Sequence, residues 1–233
     1  MKIGVIGAMQ MEVDELKQAL SDTTVESCSG VNFVCGKMND VEVVAAVCGI
    51  GKVFAAVCAQ TMILRYGVDM VINIGVAGSL VKELGVLDVA LADKVCQHDM
   101  DTSPIGDPVG LLSGINMIYL PCDEKMRALM ETCLKEQNHH YLVGPIASGD
   151  QFIATEEKKQ WIREHFEAIA AEMEGASIGH VCYVNQVPFL VLRSISDSEG
   201  GAMDYQTFAE KAALQSIDLV IRFIQKAGTE NLV

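Results

Sequence analysis

The sequence predicts an α/β domain built on a mixed, mostly parallel sheet flanked by helices. Three observations carry that prediction. Short β-branched runs alternate with longer helix-favouring segments along the whole chain. The runs are nearly continuous apolar stretches, the signature of strands buried on both faces. Glycines and then acids follow one run after another, the pattern of turns where strands end and helices begin.

Lys2–Ile6 reads as the first strand, and Met9–Leu20 as the helix after it. The stretch Val25–Val47 is different, because Val-Asn-Phe-Val-Cys-Gly and Val-Glu-Val-Val flank the turn Lys37-Met38-Asn39-Asp40. An antiparallel hairpin ending in strand Val41–Val47 is therefore expected beside the parallel strands. Lys52–Tyr66 follows as a helix and Met70–Ile74 as a strongly apolar strand. Two further short runs, Val86–Ala90 and Met117–Leu120, read as strands and lead into helix Asp123–Gln137. Strand Leu142–Ile146, helix Thr155–His165, strand Ile169–Ala171 and helix Gly175–Val184 continue the alternation. Phe189–Ile195 is the last strand, and helix Tyr205–Gln225 sets Ala, Leu, Ile and Val on one face against Glu, Lys and Arg on the other, an amphipathic core-packing pattern. No repeat, linker or low-complexity segment interrupts the series, so a single compact α/β domain over 1–233 is expected.

Composition narrows the partners. With 17 Lys+Arg against 31 Asp+Glu the net charge is −14, and no run of five or more basic residues exists to hold a nucleic-acid backbone or an anionic membrane. No apolar stretch reaches the roughly twenty residues of a membrane span, and the amino terminus lacks the form of a signal peptide, with Glu12, Asp14 and Glu15 following at once. The eight cysteines contain no Cys-x-x-Cys pair and lie mostly among apolar residues, so buried reduced thiols and a cytosolic location are expected. The His139-His140 pair has no third ligand nearby, and no metal site is expected.

Sheets of this type bind ligands at the ends of their strands, where the informative residues lie. Neither Gly49-Ile50-Gly51 nor Gly75-Val76-Ala77-Gly78 completes a dinucleotide or triphosphate fingerprint. Close strand–helix approach explains these glycines as well as ligand contact does. Glu12, read alone, is a first-turn carboxylate favoured by the helix macrodipole. Its company argues for more: Glu172-Met173-Glu174 and Asp197 fall at the same rim, and neighbouring carboxylates separate their pKa values into a base and an acid. In a strand Glu172 and Glu174 share a face, both are not easily buried, and one suits capping while the other suits a vicinal diol. Asp197 alone reads as a capping residue before the Gly200-Gly201 loop. Arg193, on an apolar strand, needs carboxylate partners. Phe152 and Tyr205 stand out among few aromatics, either as core residues or as walls for a planar ligand.

Taken together, Gly4-Val5-Ile6-Gly7-Ala8-Met9-x-x-Glu12, Gly49-Ile50-Gly51-Lys52, His98-Asp99-Met100-Asp101, Ser148-Gly149-Asp150, Glu172-Met173-Glu174 and Arg193-Ser194-Ile195-Ser196-Asp197 resemble the 5′-methylthioadenosine/S-adenosylhomocysteine nucleosidases, within the nucleoside phosphorylase superfamily. The resemblance spans nearly the whole chain. It implies a nucleoside phosphorylase-like fold and hydrolysis of the N-glycosidic bond of 5′-thio-substituted adenosines, with 5′-deoxyadenosine as a related substrate and no cofactor. By the same resemblance Glu12 activates water and Asp197 protonates adenine at N-7 as it leaves, the two-carboxylate logic of sugar hydrolysis. Glu174 grips the ribose hydroxyls, Met173 packs on the sugar, Phe152 stacks on adenine and the Ile153 backbone reads the base edge. Arg193 and Ser196 position the water and Asp197 respectively. Met9, Ile50 and Tyr205 wall the 5′-thio group, Gly78 lies in a ribose-contacting turn, and Ile105 is lent by the partner of a homodimer.

Three departures from the family pattern bear on the 5′ substituent. Val76 stands where some relatives have Ser, the loop Ser198–Asp204 is short, and Thr102–Pro108 lacks an aromatic. A phosphorylase is the rival reading within the superfamily, but a carboxylate at Glu12 repels phosphate. An aminofutalosine hydrolase is a second, barely separated by sequence. A non-catalytic nucleoside-binding protein is the rival from another class, and retention of both Glu12 and Asp197 speaks against it.

Overall fold

Five of the strands wrap into a closed ring, and the remaining ones extend the sheet outward from it, in a computed structural model that describes residues 1–198 and 202–229. The strands are β1 (Lys2–Gly7), β2 (Ser21–Cys28), β3 (Val31–Met38), β4 (Val41–Val47), β5 (Met70–Ser79), β6 (Val89–Gln97), β7 (Leu120–Pro121), β8 (Tyr141–Ser148), β9 (Ala170–Glu172) and β10 (Phe189–Asp197). Their order is β10-β6-β8-β9-β5-β1-β4-β3-β2, and a further β10–β5 pairing closes the ring. Helices α1 (Asp14–Ala19), α2 (Lys52–Thr61), α3 (Glu124–Glu136), α4 (Glu156–Phe166), α5 (Gly175–Asn185) and α6 (Ala202–Ala227) pack around the sheet. The mixed α/β architecture is the one the sequence predicts. Among the described residues no helix is long and apolar enough to cross a membrane.

The apolar runs become strands buried on both faces because helices cover both. Every position of β10 is buried, including Arg193 and Asp197, and α6 packs on β10 and β5. The main core joins the sheet to α2, α3, α5 and α6, while a smaller cluster of Leu80, Cys96, Ala147, Ile162, Phe166, Ala168 and Ala171 sits under α4. Asp123 and Thr155 cap α3 and α4 through bonds to the backbone N–H of Met126 and Lys158. All eight cysteines are unbonded, and six of them are buried.

Several boundaries differ from expectation, each for a local reason. The predicted helix Met9–Leu20 is interrupted: a 3-10 turn at Gln10–Glu12 precedes α1, because the Glu12 carboxylate folds back onto the N–H groups of Ala8 and Met9. The expected hairpin is a three-stranded meander, since Ser21–Cys28 pairs with β3. The run at Val86–Ala90 starts as a strand only at Val89, because Leu87 adopts a left-handed φ of 71° and the Gly85 N–H bonds the Asp88 side chain. Met117–Leu120 shrinks to the pair Leu120–Pro121 and one bridge between Leu112 and Met117. The Gly75–Gly78 segment, expected as a turn, is strand: Arg193 through Asp197 of β10 pair with it in parallel. The Gly200-Gly201 loop lies outside the described residues.

Candidate active site

The ends of β1, β5, β9 and β10, together with the turns after β4 and β8, surround one cavity of about 180 Å3. It lies at the carboxyl ends of parallel strands, where an open backbone edge and helix starts leave room for a ligand.

Glu12 forms one wall. One carboxylate oxygen accepts the Ala8 and Met9 N–H groups at 2.7 and 2.9 Å, and the other accepts the Val76 N–H at 3.1 Å. The side chain is 1% exposed, and burial pushes its pKa above the usual carboxylate range, opposed by Arg193 and the three N–H bonds. Gly75, at φ 150°, lets the carboxylate lie flat on β5; a Cβ there would land on Glu12 and Arg193.

Asp197 lines the same cavity. The register of β10 against β5 shifts between Ile195 and Asp197, an irregularity of the kind that re-aims side chains. In consequence the successive residues Ser196 and Asp197 both line the cavity, which a regular strand would forbid. The Ser196 hydroxyl donates to Asp197 Oδ1 at 2.9 Å, and Gly78 faces the carboxylate across the strands, where a Cβ would lie 2.9 Å from Oδ2. Burial raises the Asp197 pKa; the Ser196 bond and nearby Lys159 oppose the rise, and Asp204 adds to it.

Glu172 and Glu174 are both buried, against expectation. Their shared partner is the reason. Arg193 Nη2 pairs with Glu172, lies 3.6 Å from Glu174 and also donates to the Asn73 amide oxygen, while Nη1 donates to the Ile74 carbonyl. Glu172 also caps α5, accepting the N–H groups of Glu174 and Gly175 and the Ser148 hydroxyl. β9 ends at Glu172, so the two acids do not share a strand face; Glu174 is the residue that enters α5. Glu174 Oε1 accepts the Gly51 N–H at 2.8 Å. Burial, with Glu172 adding to it, pushes the Glu174 pKa up to about 7, against Arg193.

The remaining walls are apolar. Met173, Ile153 and Val76 line the cavity. Phe152 and Tyr205 meet edge to face with centroids 5.6 Å apart, and the Tyr205 hydroxyl lies 3.4 Å from Met9 Sδ. Ile50 stands at the rim, 55% exposed. Two expected residues are not in the lining. Arg193 is buried behind the acids, and Ile105 is 82% exposed on the short turn Ser103–Ile105, away from its own chain's cavity.

Lys159, Leu80 and Gln151 line the cavity without having been singled out by sequence. Lys159 is buried, and its ammonium donates to the Ser198 carbonyl just past Asp197. Inside Thr-Glu-Glu-Lys-Lys-Gln it reads as one more surface charge, and nothing local marks it. Among the described residues no group of three or more His, Cys, Asp and Glu has a metal-binding arrangement.

Two buried carboxyl groups thus face one small, largely apolar space, Glu12 gripped by three backbone donors and Asp197 by a single hydroxyl. Such a pair can deprotonate a nucleophile on one side of a bound molecule and protonate a leaving group on the other.

Comparison with known proteins shows the family. Residues 2–225 match the family model described as the phosphorylase superfamily. The chain is 36% identical to the 5′-methylthioadenosine/S-adenosylhomocysteine nucleosidase of Aeromonas salmonicida, over 97% of this chain and 100% of that one. It is 37% identical to the aminodeoxyfutalosine nucleosidase of Campylobacter jejuni, over 97% and 99%. Among solved structures, a Helicobacter pylori nucleosidase mutant with 5′-methylthioadenosine in its active site superposes with a TM-score of 0.93 at 36% identity, covering 97% of this chain and 98% of that one.

Proposed function

Because the chain belongs to the phosphorylase superfamily and, within it, to the nucleosidases of 5′-methylthioadenosine, S-adenosylhomocysteine or futalosine, we propose that Glu12 and Asp197 are its catalytic base and acid. The reaction itself is hydrolytic cleavage of the N-glycosidic bond of such nucleosides to adenine and the ribose moiety. Ionised Glu12 takes a proton from water as the oxygen attacks the anomeric carbon. Protonated Asp197 delivers its proton to N-7 of adenine, so the base leaves neutral. Between them the ribosyl group carries positive charge, which the buried carboxylates stabilise. Glu174 accepts the ribose hydroxyls, Met173 packs on the sugar, Phe152 and Ile153 hold the base, and Met9, Ile50 and Tyr205 face the 5′ substituent.

The observation that supports this reading is the contrast in hydrogen bonding between two acids that burial raises alike: Glu12 accepts three backbone N–H groups, which favour its ionised form, whereas Asp197 accepts one hydroxyl. It also argues against a phosphorylase. The N–H groups of Ala8, Met9 and Val76 are taken by the Glu12 carboxylate, whose negative charge repels an attacking phosphate.

Futalosine-type substrates are a second reading, favoured by the 37% identity to the C. jejuni aminodeoxyfutalosine nucleosidase. We further propose that the enzyme is a cytosolic homodimer, the eight unbonded cysteines fitting a reducing compartment. Val53, Phe54 and Val57 on α2 and Val184 on α5 are exposed apolar residues on helices that pack together. A second copy covering them brings its own Ile105 over the open rim at Ile50 and Phe152. The test is incubation with 5′-methylthioadenosine, S-adenosylhomocysteine, aminodeoxyfutalosine and inosine, with and without phosphate. Adenine and free sugar from the first two in phosphate-free buffer support the reading; a sugar 1-phosphate, or cleavage of inosine alone, defeats it.

A further inference from the structure

One ring of polar contacts ties together the three turns that follow β4, β6 and β8. Gly51 opens α2 at φ 99°, with Asp150 so close that a Cβ would lie 3.0 Å from its Oδ1. Asp150 Oδ1 accepts the Lys52 N–H at 2.8 Å and so caps the helix. The Lys52 ammonium reaches across to Asp99 Oδ1 at 2.6 Å and Gln97 Oε1 at 3.2 Å, at the end of β6. Asp99 Oδ2 accepts the Asp150 N–H at 2.9 Å, which closes the ring. The Lys52 and Asp99 side chains are only 19% and 17% exposed. The pair is therefore sheltered from much of the screening that weakens surface ion pairs.

What the ring holds matters more than the ring. Gly51, adjacent to Lys52, donates its N–H to Glu174. Asp150 is two residues before Phe152 and three before Ile153. We infer that Lys52 and Asp99 are positioning residues that fix the distance between the ribose-gripping Glu174 and the base-holding Phe152–Ile153 segment. This inference rests on the assignment of Glu174 to the ribose hydroxyls.

Neither residue contacts Glu12 or Asp197. Glu12 is fixed by Ala8, Met9 and Val76, and Asp197 by Ser196. The ring acts on where the two halves of the nucleoside are gripped, not on the proton transfers, so its loss falls on binding more than on turnover.

Steady-state kinetics of the purified full chain with 5′-methylthioadenosine test this, with folding of each variant checked by circular dichroism and thermal melting. Lys52→Met raises KM at least about tenfold and changes kcat by less than about threefold. Lys52→Arg, which keeps a cation for Asp99, recovers most of the loss. Asp99→Asn raises KM similarly, and the Lys52→Met/Asp99→Asn double variant is no worse than the worse single one, as expected for residues acting as a unit. A folded Lys52→Met enzyme with unchanged KM overturns the inference, as do fully additive losses in the double variant. Glu174→Gln separates it from the reading beneath it. If that variant raises KM while Lys52→Met does not, the positioning role fails alone; if Glu174→Gln leaves KM unchanged, the assignment of Glu174 fails first.

Discussion

At Glu12, three backbone N–H groups converge on two carboxylate oxygens. A glutamine keeps the size but turns an NH2 toward one of those donors and cannot take a proton from water. Glu12→Gln is expected to lower kcat with 5′-methylthioadenosine by roughly 10²–10⁴ while substrate still binds, as loss of general base catalysis predicts; stopped assays for adenine release check it. Ser196 offers a finer test. Its hydroxyl donates to Asp197 Oδ1 and favours the ionised form, against the burial that raises the pKa. Removing the hydroxyl in Ser196→Ala lets the pKa rise further, so Asp197 keeps its proton to higher pH. The alkaline limb of the kcat profile should therefore move upward, and a shift in the opposite direction would show that another group sets that limb. That these residues cluster at one cavity was legible in the sequence, because acids and an arginine are conspicuous in and after apolar strands. The burial of both Glu172 and Glu174 was not, since it depends on Arg193, which is remote in sequence and supplies the shared counter-charge.

Strands place these residues, and here two features lie beyond local reading. The irregularity in β10 that turns both Ser196 and Asp197 into the cavity exists only through pairing with β5. The run Gly75–Gly78 looks like a turn by composition, yet it is strand, because β10 bonds it along its length and β9 takes its end. A glycine in a strand costs stability unless something needs the space. At Gly75 that something is the Glu12 carboxylate and the Arg193 guanidinium. Gly75→Ala should thus reduce kcat/KM by at least roughly a hundredfold and destabilise the fold by about 1–3 kcal/mol, the usual cost of overpacking. Urea unfolding alongside kinetics checks both, and a stable, active variant would mean that Glu12 can shift without loss. Helices were read well because capping and amphipathic period are local signals. Met9–Leu20 failed for an equally local reason, the Glu12 carboxylate bonding its own preceding N–H groups.

For the whole molecule, the net charge of −14 is unfavourable for polyanionic partners, and the structure shows that several of the acids are buried around one cavity, with a single buried arginine behind them. Such a cluster has a pH signature. Burial raises the pKa values of Glu12, Asp197 and Glu174, the last to about 7. A carboxyl whose folded pKa lies above its unfolded value adds stability that is fully present below the unfolded pKa and is lost as pH rises through the folded one. The protein should melt at a higher temperature near pH 5 than near pH 8 on account of these groups, and Glu174→Gln should narrow that difference. Calorimetry at both pH values checks this, and an unchanged difference would mean that Glu174 is already ionised. The proposed cleavage depends above all on Asp197 as the acid that frees adenine. The most direct measurement is kcat of Asp197→Asn with 5′-methylthioadenosine in phosphate-free buffer, alongside its substrate affinity. Turnover is predicted to fall by roughly 10²–10⁴ with the nucleoside still bound; a folded variant that releases adenine within about threefold of the wild-type rate would contradict the mechanism.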